Sequence, residues 1–393
     1  MAGIVPSPDA ISFLNRFDRA AHIPLGIAAP PVKSSGYAHP IPRGGRLMTS
    51  CGALYFRLRA NFHGLSSAYL PHPPEIVCLD GESLESAQRR AIYESEQRVI
   101  DIREDAEDGS TEVLVVVQNV VAGQIRTLSA DLVLGADGAN SFVGRKFLGD
   151  IVSRKYAGYV AWRGVVPEIL VSEETREAFR ANRPHAARGI EYTIPGDFGT
   201  LEPGSRNINF IWYNPIAASA LPTVMTDKLG TLHRTTVPQD LIDPSIWSRQ
   251  VSLGASLLPP PYFEILSKIT SPFIHLITDY TSPRASFLNG RVLLVGDAHT
   301  LLRPHIGYST SMAAMEARLM EQLVAGDSTI NDWDYRVTTM AYLHWCRGIW
   351  FGESFVRPGS IWGTAASAVW YWGVVGWYRV KSYWNLLSSR VYN

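Results

Sequence analysis

The sequence predicts a mixed α/β (α+β) fold: a doubly wound domain, interrupted by an inserted antiparallel β-sheet domain and followed by a C-terminal helical region. Three observations carry that prediction. Two short apolar runs each end in a Gly/Asp turn, one at Asp137 and one at Asp297. Such runs mark strands buried on both faces of an α/β sheet. Between them lies a block of alternating aromatic strands, residues 156–215. Beyond the second run, apolar residues recur at helical spacing. The implied units are residues 1–150 and 279–330 for the two halves of the first domain, 151–278 for the inserted sheet, and 331–393 for the helical region.

Taken in order, the N-terminal MAGIVPSPDAISFLNRFD has no basic region followed by a long apolar stretch, so it does not read as a secretory signal. Arg57 and Arg59 fall on a predicted helix and read as surface charges, with cofactor contact as the alternative. Residues 98–134 alternate as β-strands around a turn at Gly123 and run into DLVLGADGANSFVGR, residues 131–145. YAGYVAWRGVV, ARGIEYTIPG and RNINFIWYN read as an antiparallel sheet, one face covered and the other free to line a pocket. The three prolines between Leu258 and Tyr262 predict a rigid turn or linker. RVLLVGDAHTLLRPH, residues 291–305, is strand and then loop. Met312, Met315, Leu319 and Leu323 follow on one helical face, Gly326 is a plausible stop, and helical character resumes over 333–355.

The bulk numbers narrow the classes. With 393 residues, 46% of them hydrophobic, the chain can bury a sizeable core. Lys plus Arg equals Asp plus Glu at 36 each, which leaves no electrostatic footprint for nucleic acid. Cys51, Cys78 and Cys346 lack metal-ligand spacing and read as reduced thiols of an intracellular, cytoplasmic protein, with no metal site. Residues 358–378 hold no charge and include Trp362, Trp370, Trp372 and Trp377. They read as a helix packed on the protein's own surface, with membrane attachment, spanning or monotopic, as the alternative.

The two strand-end motifs share one grammar. In each, a carboxylate stands at a strand's carboxyl end beside glycines that admit close backbone approach. A carboxylate there suits the hydroxyls of a ribose or polyol, and helix-start amides near Ser309 suit an anionic or electron-rich edge. In this order the motifs resemble the FAD-dependent aromatic-ring monooxygenases of the p-hydroxybenzoate hydroxylase type, and within them the 2,6-dihydroxypyridine 3-monooxygenase group. AGIVPSPDAISFLNRFD, LMTSCGALYFRLRANF, GYVAWRGVVPE, INFIWYN and GDAHTLLRPH carry the resemblance, which spreads from residue 2 to about 355. It implies an FAD/NAD(P)-binding fold with NADH or NADPH as reductant, O2 as co-substrate and a small aromatic or heterocyclic substrate hydroxylated through a flavin hydroperoxide; a homodimer is compatible with it. It also implies cofactor roles for Asp137 and Gly138, for Gly296 and Asp297 at the ribityl chain, and for Pro304, Gly307 and Ser309 beside the flavin ring. His305 is the candidate for substrate deprotonation, the alternative being a hydrogen bond to the loop backbone. Trp162, Tyr192, Trp212 and Tyr213 are candidate pocket residues, the alternative being plain core.

The departures are specific. No GxGxxG occurs, although the family pattern opens with a strand, that turn and a helix holding the FAD pyrophosphate. The sequence thus reads as N-terminally truncated by about a βαβ unit. Gly144 separates Val143 from Arg145, adjacent in the family pattern, and His299 stands where a small residue is common. Two readings stay open: a flavin monooxygenase, or a truncated, non-catalytic paralogue or gene-model fragment that does not retain FAD.

Overall fold

The computed structural model describes residues 2–29, 45–75, 92–105, 112–180, 189–356 and 361–391. Cys78 and residues 357–360, where the uncharged tail begins, lie outside the described residues. The chain opens with β1 (Gly3–Ile4) and α1 (Pro8–Phe17), whose proline sits in the first turn, where its missing N–H is not needed. β2 (Ile27–Ala29) and β3 (Arg46–Ser50) follow, with β3 in the middle of an antiparallel β1-β3-β2 sheet. Ser50 caps α2 (Cys51–His63) by accepting from the Ala53 N–H, and Gly64 ends it in the left-handed region at φ 72°.

Arg57 on α2 is buried, contrary to the surface charge expected of it. Its guanidinium donates to the Asp18 carboxylate at 2.6 Å and to the carbonyls of Ala20 and Ile23. The partners lie at least 34 residues away in sequence, so no local pattern announces them. Arg59 lies over the Tyr93 ring, 3.5 Å from its centroid.

β4 (Gln97–Glu104), β5 (Val113–Asn119) and β6 (Ile125–Ala130) form an antiparallel meander, with Gly123 at φ 71° in the second turn. β7 (Val133–Gly135) then leads into α3 (Phe142–Leu148). The central sheet is built from β8 (Lys155–Pro167), β9 (Gly189–Ile194), β10 (Asn207–Pro215), β11 (Thr236–Val237) and β12 (Phe273–Thr281), in the order β11-β12-β8-β10-β9. It is antiparallel throughout, as expected from the alternating aromatic strands.

α4 (Pro244–Leu257) and α5 (Pro260–Lys268) cover one face of that sheet. The proline run between them is a turn only at Leu258 and Pro259; Pro260 and Pro261 already belong to α5. Proline's fixed φ suits a helix's first turn, so the same residues that end α4 start the next helix. Trp162 and Trp212, opposite each other on β8 and β10, pack beneath these helices with Phe210, Tyr262, Ile265 and Leu266.

Finally β13 (Ser286–Phe287) and β14 (Val292–Leu294) form a small sheet with β7, in which β14 runs parallel to β7 and Leu294 stands beside Gly135. β15 (Thr300–Leu301) adds to the edge of β12, and α6 (Ser309–Val324), α7 (Ile330–Val356) and α8 (Ile361–Val391) complete the chain. On α8, Tyr371 stacks on Trp350 of α7 at 5.0 Å, while Trp362, Trp372 and Trp377 stay exposed. Among the described residues no helix is long and apolar enough to cross a membrane, so the spanning alternative finds no support there.

Candidate functional site

Parallel pairing of β7 with β14 sets the two strand-end motifs side by side, and the Val295 N–H donates to the Gly135 carbonyl at 3.1 Å. Both turns use glycine where φ is positive, 75° at Gly138 and 62° at Gly296. Their carboxylates are used differently. Asp137 accepts from the Ser141 hydroxyl at 2.5 Å and from the N–H groups of Phe142 and Val143, so it caps α3. Asp297 lines a cavity of about 160 Å³, and none of the described residues donates a hydrogen bond to its carboxylate. Burial and the neighbouring Glu316 push its pKa above the usual carboxylate range, and Arg154 partly offsets them.

The Gly296 turn is braced from below. Fully buried Glu316 on α6 accepts from the Gly296 N–H at 2.5 Å and from His299 Nδ1 at 2.9 Å. The Tyr280 hydroxyl donates to the Asp297 carbonyl. Arg154 donates to Thr278 Oγ1 at 2.8 Å and to Asn140 Oδ1 at 3.3 Å, which ties the Asp137 loop to the central sheet.

The cavity lies between that turn and the open face of the sheet. Ala161, Arg163, Ile211, Tyr213, His275 and Ile277 come from the sheet; Asp297, Leu302, Pro304 and Ser309 come from the other side. Gly307, at φ 59°, turns the chain into α6, whose first turn, beginning at Ser309, has no side-chain cap. The volume is about that which holds one benzene-sized ring.

Of the four aromatic pocket candidates, Tyr213 lines the cavity. Tyr192 shares its face but is buried against Gly3, where an added Cβ would stand 2.8 Å from the ring. Trp162 and Trp212 project to the opposite face, into the core. Strand alternation decides this, because Arg163 lies opposite Ile211 while Trp162 lies opposite Trp212.

His305 is buried against α7, with Nε2 3.2 Å from the Gly348 carbonyl and 3.4 Å from the Tyr159 hydroxyl. Desolvation, then Arg303, lowers its pKa to about 3, so the ring is neutral at physiological pH. It belongs to a buried polar network rather than to the cavity lining. In that network Arg303 Nε donates to Asp279 at 2.6 Å, and Trp345 Nε1 donates to the other Asp279 oxygen at 2.8 Å.

Sequence reasoning missed Arg163 and His275, both of which line the cavity. A signal was present for Arg163, a cation in the middle of the apolar strand YVAWRGVV. His275 Nδ1 lies 2.8 Å from Thr236 Oγ1, and burial, with Arg163 and Arg154 nearby, lowers its pKa to about 4.

Comparison with known proteins fits this geometry. A family described as FAD binding domain-like matches residues 156–279. A 2,6-dihydroxypyridine 3-monooxygenase of Paenarthrobacter nicotinovorans is 31% identical over 216 residues, 53% of this chain and 52% of that protein. The solved structure of 2,6-dihydroxypyridine-3-hydroxylase from Arthrobacter nicotinovorans superposes over 92% of this chain and 84% of its own, with a TM-score of 0.68 at 23% identity. The fold is that of the FAD-dependent aromatic hydroxylases. An FAD-dependent urate hydroxylase of Mycolicibacterium vanbaalenii shares 55% identity over 40 residues, 10% of each chain. Sequence likeness thus spans about half the length of the first curated relative and a tenth of the second. In this hydroxylase fold the cavity described above lies between the Gly-Asp turn and the inserted sheet.

Proposed function

We propose that this protein is an FAD-dependent monooxygenase that hydroxylates a small hydroxylated aromatic or N-heterocyclic compound, with NADH or NADPH as reductant and O2 as co-substrate. The observation that carries the proposal is Asp297: a strand-end carboxylate on a cavity wall, with no described donor and with a raised pKa. Ribityl hydroxyls would supply the missing donors, and their hydrogen bonds would favour the ionised form. Likeness to the dihydroxypyridine monooxygenase and the urate hydroxylase supports the reaction class.

In this reading residues 1–150 and 279–330 form the cofactor side, residues 151–278 the substrate side, and 331–393 a helical flank. The donor set fits the ribityl and ring end of FAD: Asp297 for the hydroxyls, the Gly296 and Gly307 turns for close approach, Pro304 and the Ser309 amides for the ring edge. Asp137 and Gly138 shape the neighbouring turn through the cap of α3. FAD, when bound, supplies oxygen transfer from O2. The protein's own part is to hold an aromatic ring against Ala161, Ile211 and Tyr213, to exclude water with Leu301 and Leu302, and to keep the Gly-Asp turn rigid through Glu316. A neutral His305, bonded to Gly348, holds the loop rather than taking a proton from substrate.

A second reading, a binding protein without flavin chemistry, is favoured by the cavity's size, about 160 Å³, which is enough for one small ring. Purification of residues 1–393 discriminates the two. Stoichiometric yellow flavin with substrate-stimulated NAD(P)H oxidation supports the monooxygenase; a folded, colourless chain that takes up no added FAD supports the second reading.

A further inference from the structure

The outer face of α8 is apolar where a surface helix is ordinarily charged. From Ile361 to Tyr378 the helix carries no Asp, Glu, Lys, Arg or His. Its inner face packs on α7: Tyr371 stacks on Trp350, Trp370 meets Trp345 edge-on, and Tyr378 lies 6.2 Å from Tyr342. The opposite face points to solvent. Trp362 is 87% exposed and Trp377 67%, and Val369, Trp372 and Val380 are exposed with them. At helical spacing Trp362, Val369, Gly373, Gly376 and Val380 share one stripe about 27 Å long, with Trp377 at its border. Apolar residues scattered singly over a surface need no explanation, but a contiguous stripe does. The charges that follow it are of one sign: Arg379, Lys381 and Arg390, with no Asp or Glu anywhere in α8. The facing α7 does not supply the counter-charge at Arg379 and Lys381. Lys381 lies over the Tyr335 ring, 5.1 Å from its centroid, while Asp332 accepts from Thr329, Asp334 from the Ala285 N–H, and Glu353 pairs with Arg303.

A tryptophan ring is most at home where one end is apolar and the other wet, as at the boundary of a bilayer. A helix with an apolar face and basic residues beside it lies in that boundary, held by buried area and by attraction to acidic lipid. Pairing of two α8 helices would cover the stripe but would bring no acid to the basic end, because α8 has none. An anionic lipid surface supplies both the apolar layer and the counter-charge. We infer that α8 is an interfacial attachment helix, which lays its Trp362–Val380 stripe into the headgroup layer of an anionic membrane. Arg379 and Lys381 then meet the acidic headgroups. The helix lies on the bilayer and does not cross it, in keeping with its modest hydropathy. No residue of the cavity beside Asp297 lies in α8, so the inference is independent of flavin chemistry.

Flotation of the full chain with vesicles of phosphatidylcholine alone, and with about 30% phosphatidylserine added, tests it. The mixed vesicles should bind the parent at least about ten-fold more tightly, and high salt should remove that margin. Trp362→Ala combined with Trp377→Ala, confirmed folded by circular dichroism, should weaken binding to both vesicles by about ten-fold or more. Arg379→Gln combined with Lys381→Gln should remove only the preference for the acidic vesicle. Lipids brominated on their acyl chains should quench part of the parent's tryptophan emission, a readout that needs no variant. No flotation of the folded parent, equal binding to the two vesicles, undiminished binding of the tryptophan variant, or absence of quenching each overturns the inference. A dimer, seen by light scattering, that the tryptophan substitutions dissolve without changing vesicle binding overturns it too, since a second copy then covers the face. Should the tryptophan variant not fold, the quenching decides.

Discussion

The two strand ends of the parallel β7–β14 pair look alike in sequence and do different work. At Asp137 the carboxylate turns back onto its own chain and satisfies the start of α3. At Asp297 the carboxylate faces a cavity, and the bracing is done by a residue from another element, Glu316. A Gly/Asp turn that caps its own helix is complete as it stands. One whose acid has no donor among the described residues, in a setting that disfavours its charge, keeps its acceptor capacity open to the cavity. The difference teaches that a strand-end motif is read from where its acceptor's donors are, not from its letters.

Four substitutions or conditions would break or sharpen that contrast. The largest effect is expected from Glu316→Ala, which leaves the Gly296 N–H and His299 without their buried partner. Breaking such a pair costs about 3–5 kcal/mol, seen as a large drop in the denaturant midpoint. A loss under 1 kcal/mol, with a rigid turn preserved, would show that the bracing is not what holds Asp297 out.

Asp297→Asn comes next and should act in opposite directions on binding and on stability. It should weaken FAD retention by about 1.5–3 kcal/mol in any form of the protein that holds FAD, as measured by flavin occupancy after dialysis. Its pKa is raised by burial and by Glu316, so at neutral pH the charged form destabilises the flavin-free chain, a penalty absent below the usual carboxylate pKa and imposed as pH rises through the raised value. The neutral amide should therefore raise the thermal midpoint of the flavin-free protein at pH 7.5. Unchanged flavin occupancy would remove Asp297 from the site.

The Gly-Asp side should also carry an acid sensitivity. His305 has a pKa of about 3 in the folded state against about 6.5 in an unfolded chain. The unfolded form thus takes up the proton first, and stability, complete above pH 6.5, falls as pH drops toward 3. At pH 5 the loss is about 2 kcal/mol from this residue. His305→Asn should flatten the stability profile between pH 7.5 and 5 in urea titrations; an unaltered slope would mean that the ring is not held neutral by its burial.

The smallest effect is assigned to Asp137→Ala. Removal of a helix cap costs about 0.5–2 kcal/mol of stability and should leave flavin occupancy after dialysis unchanged in any form of the protein that holds FAD. A loss of ligand binding as large as that of Asp297→Asn would erase the distinction between the two turns.

Much of the architecture was legible because it rests on local periodicity. The Met312, Met315, Leu319 and Leu323 spacing marked α6, and β-branched alternation marked the β4–β6 meander. What was not legible rests on long-range pairing. Arg57 looked like a surface charge because its acceptors, Asp18, Ala20 and Ile23, are brought to it only by the fold. The sheet residues pose a related problem: β8 and β10 are buried on both faces, so alternation separates Trp162 and Trp212 from Ala161 and Tyr213 without saying which set meets the cavity. That choice is made by α4 and α5 covering one side. His305 stood next to the cavity-lining Pro304 in sequence, yet the turn at Pro304–Ile306 rotates it toward α7.

The short parallel pair has a consequence on the time axis. Val133 donates its N–H to the Arg291 carbonyl at 2.8 Å, and the Gly135 carbonyl accepts from Val295, so both residues direct their peptide groups toward β14. Alternation turns the Leu134 N–H to the other edge, where β7 has no partner strand among the described residues and the Leu134 side chain is 48% exposed. Deuterium should therefore enter one residue of this three-residue strand at close to the rate of an open chain, while its neighbours wait for local opening. That outward N–H is a point at which another strand can add, although the Leu134 carbonyl already accepts from the Ala136 N–H at 3.1 Å. Slowing of exchange at Leu134 alone would therefore register a strand arriving at that edge.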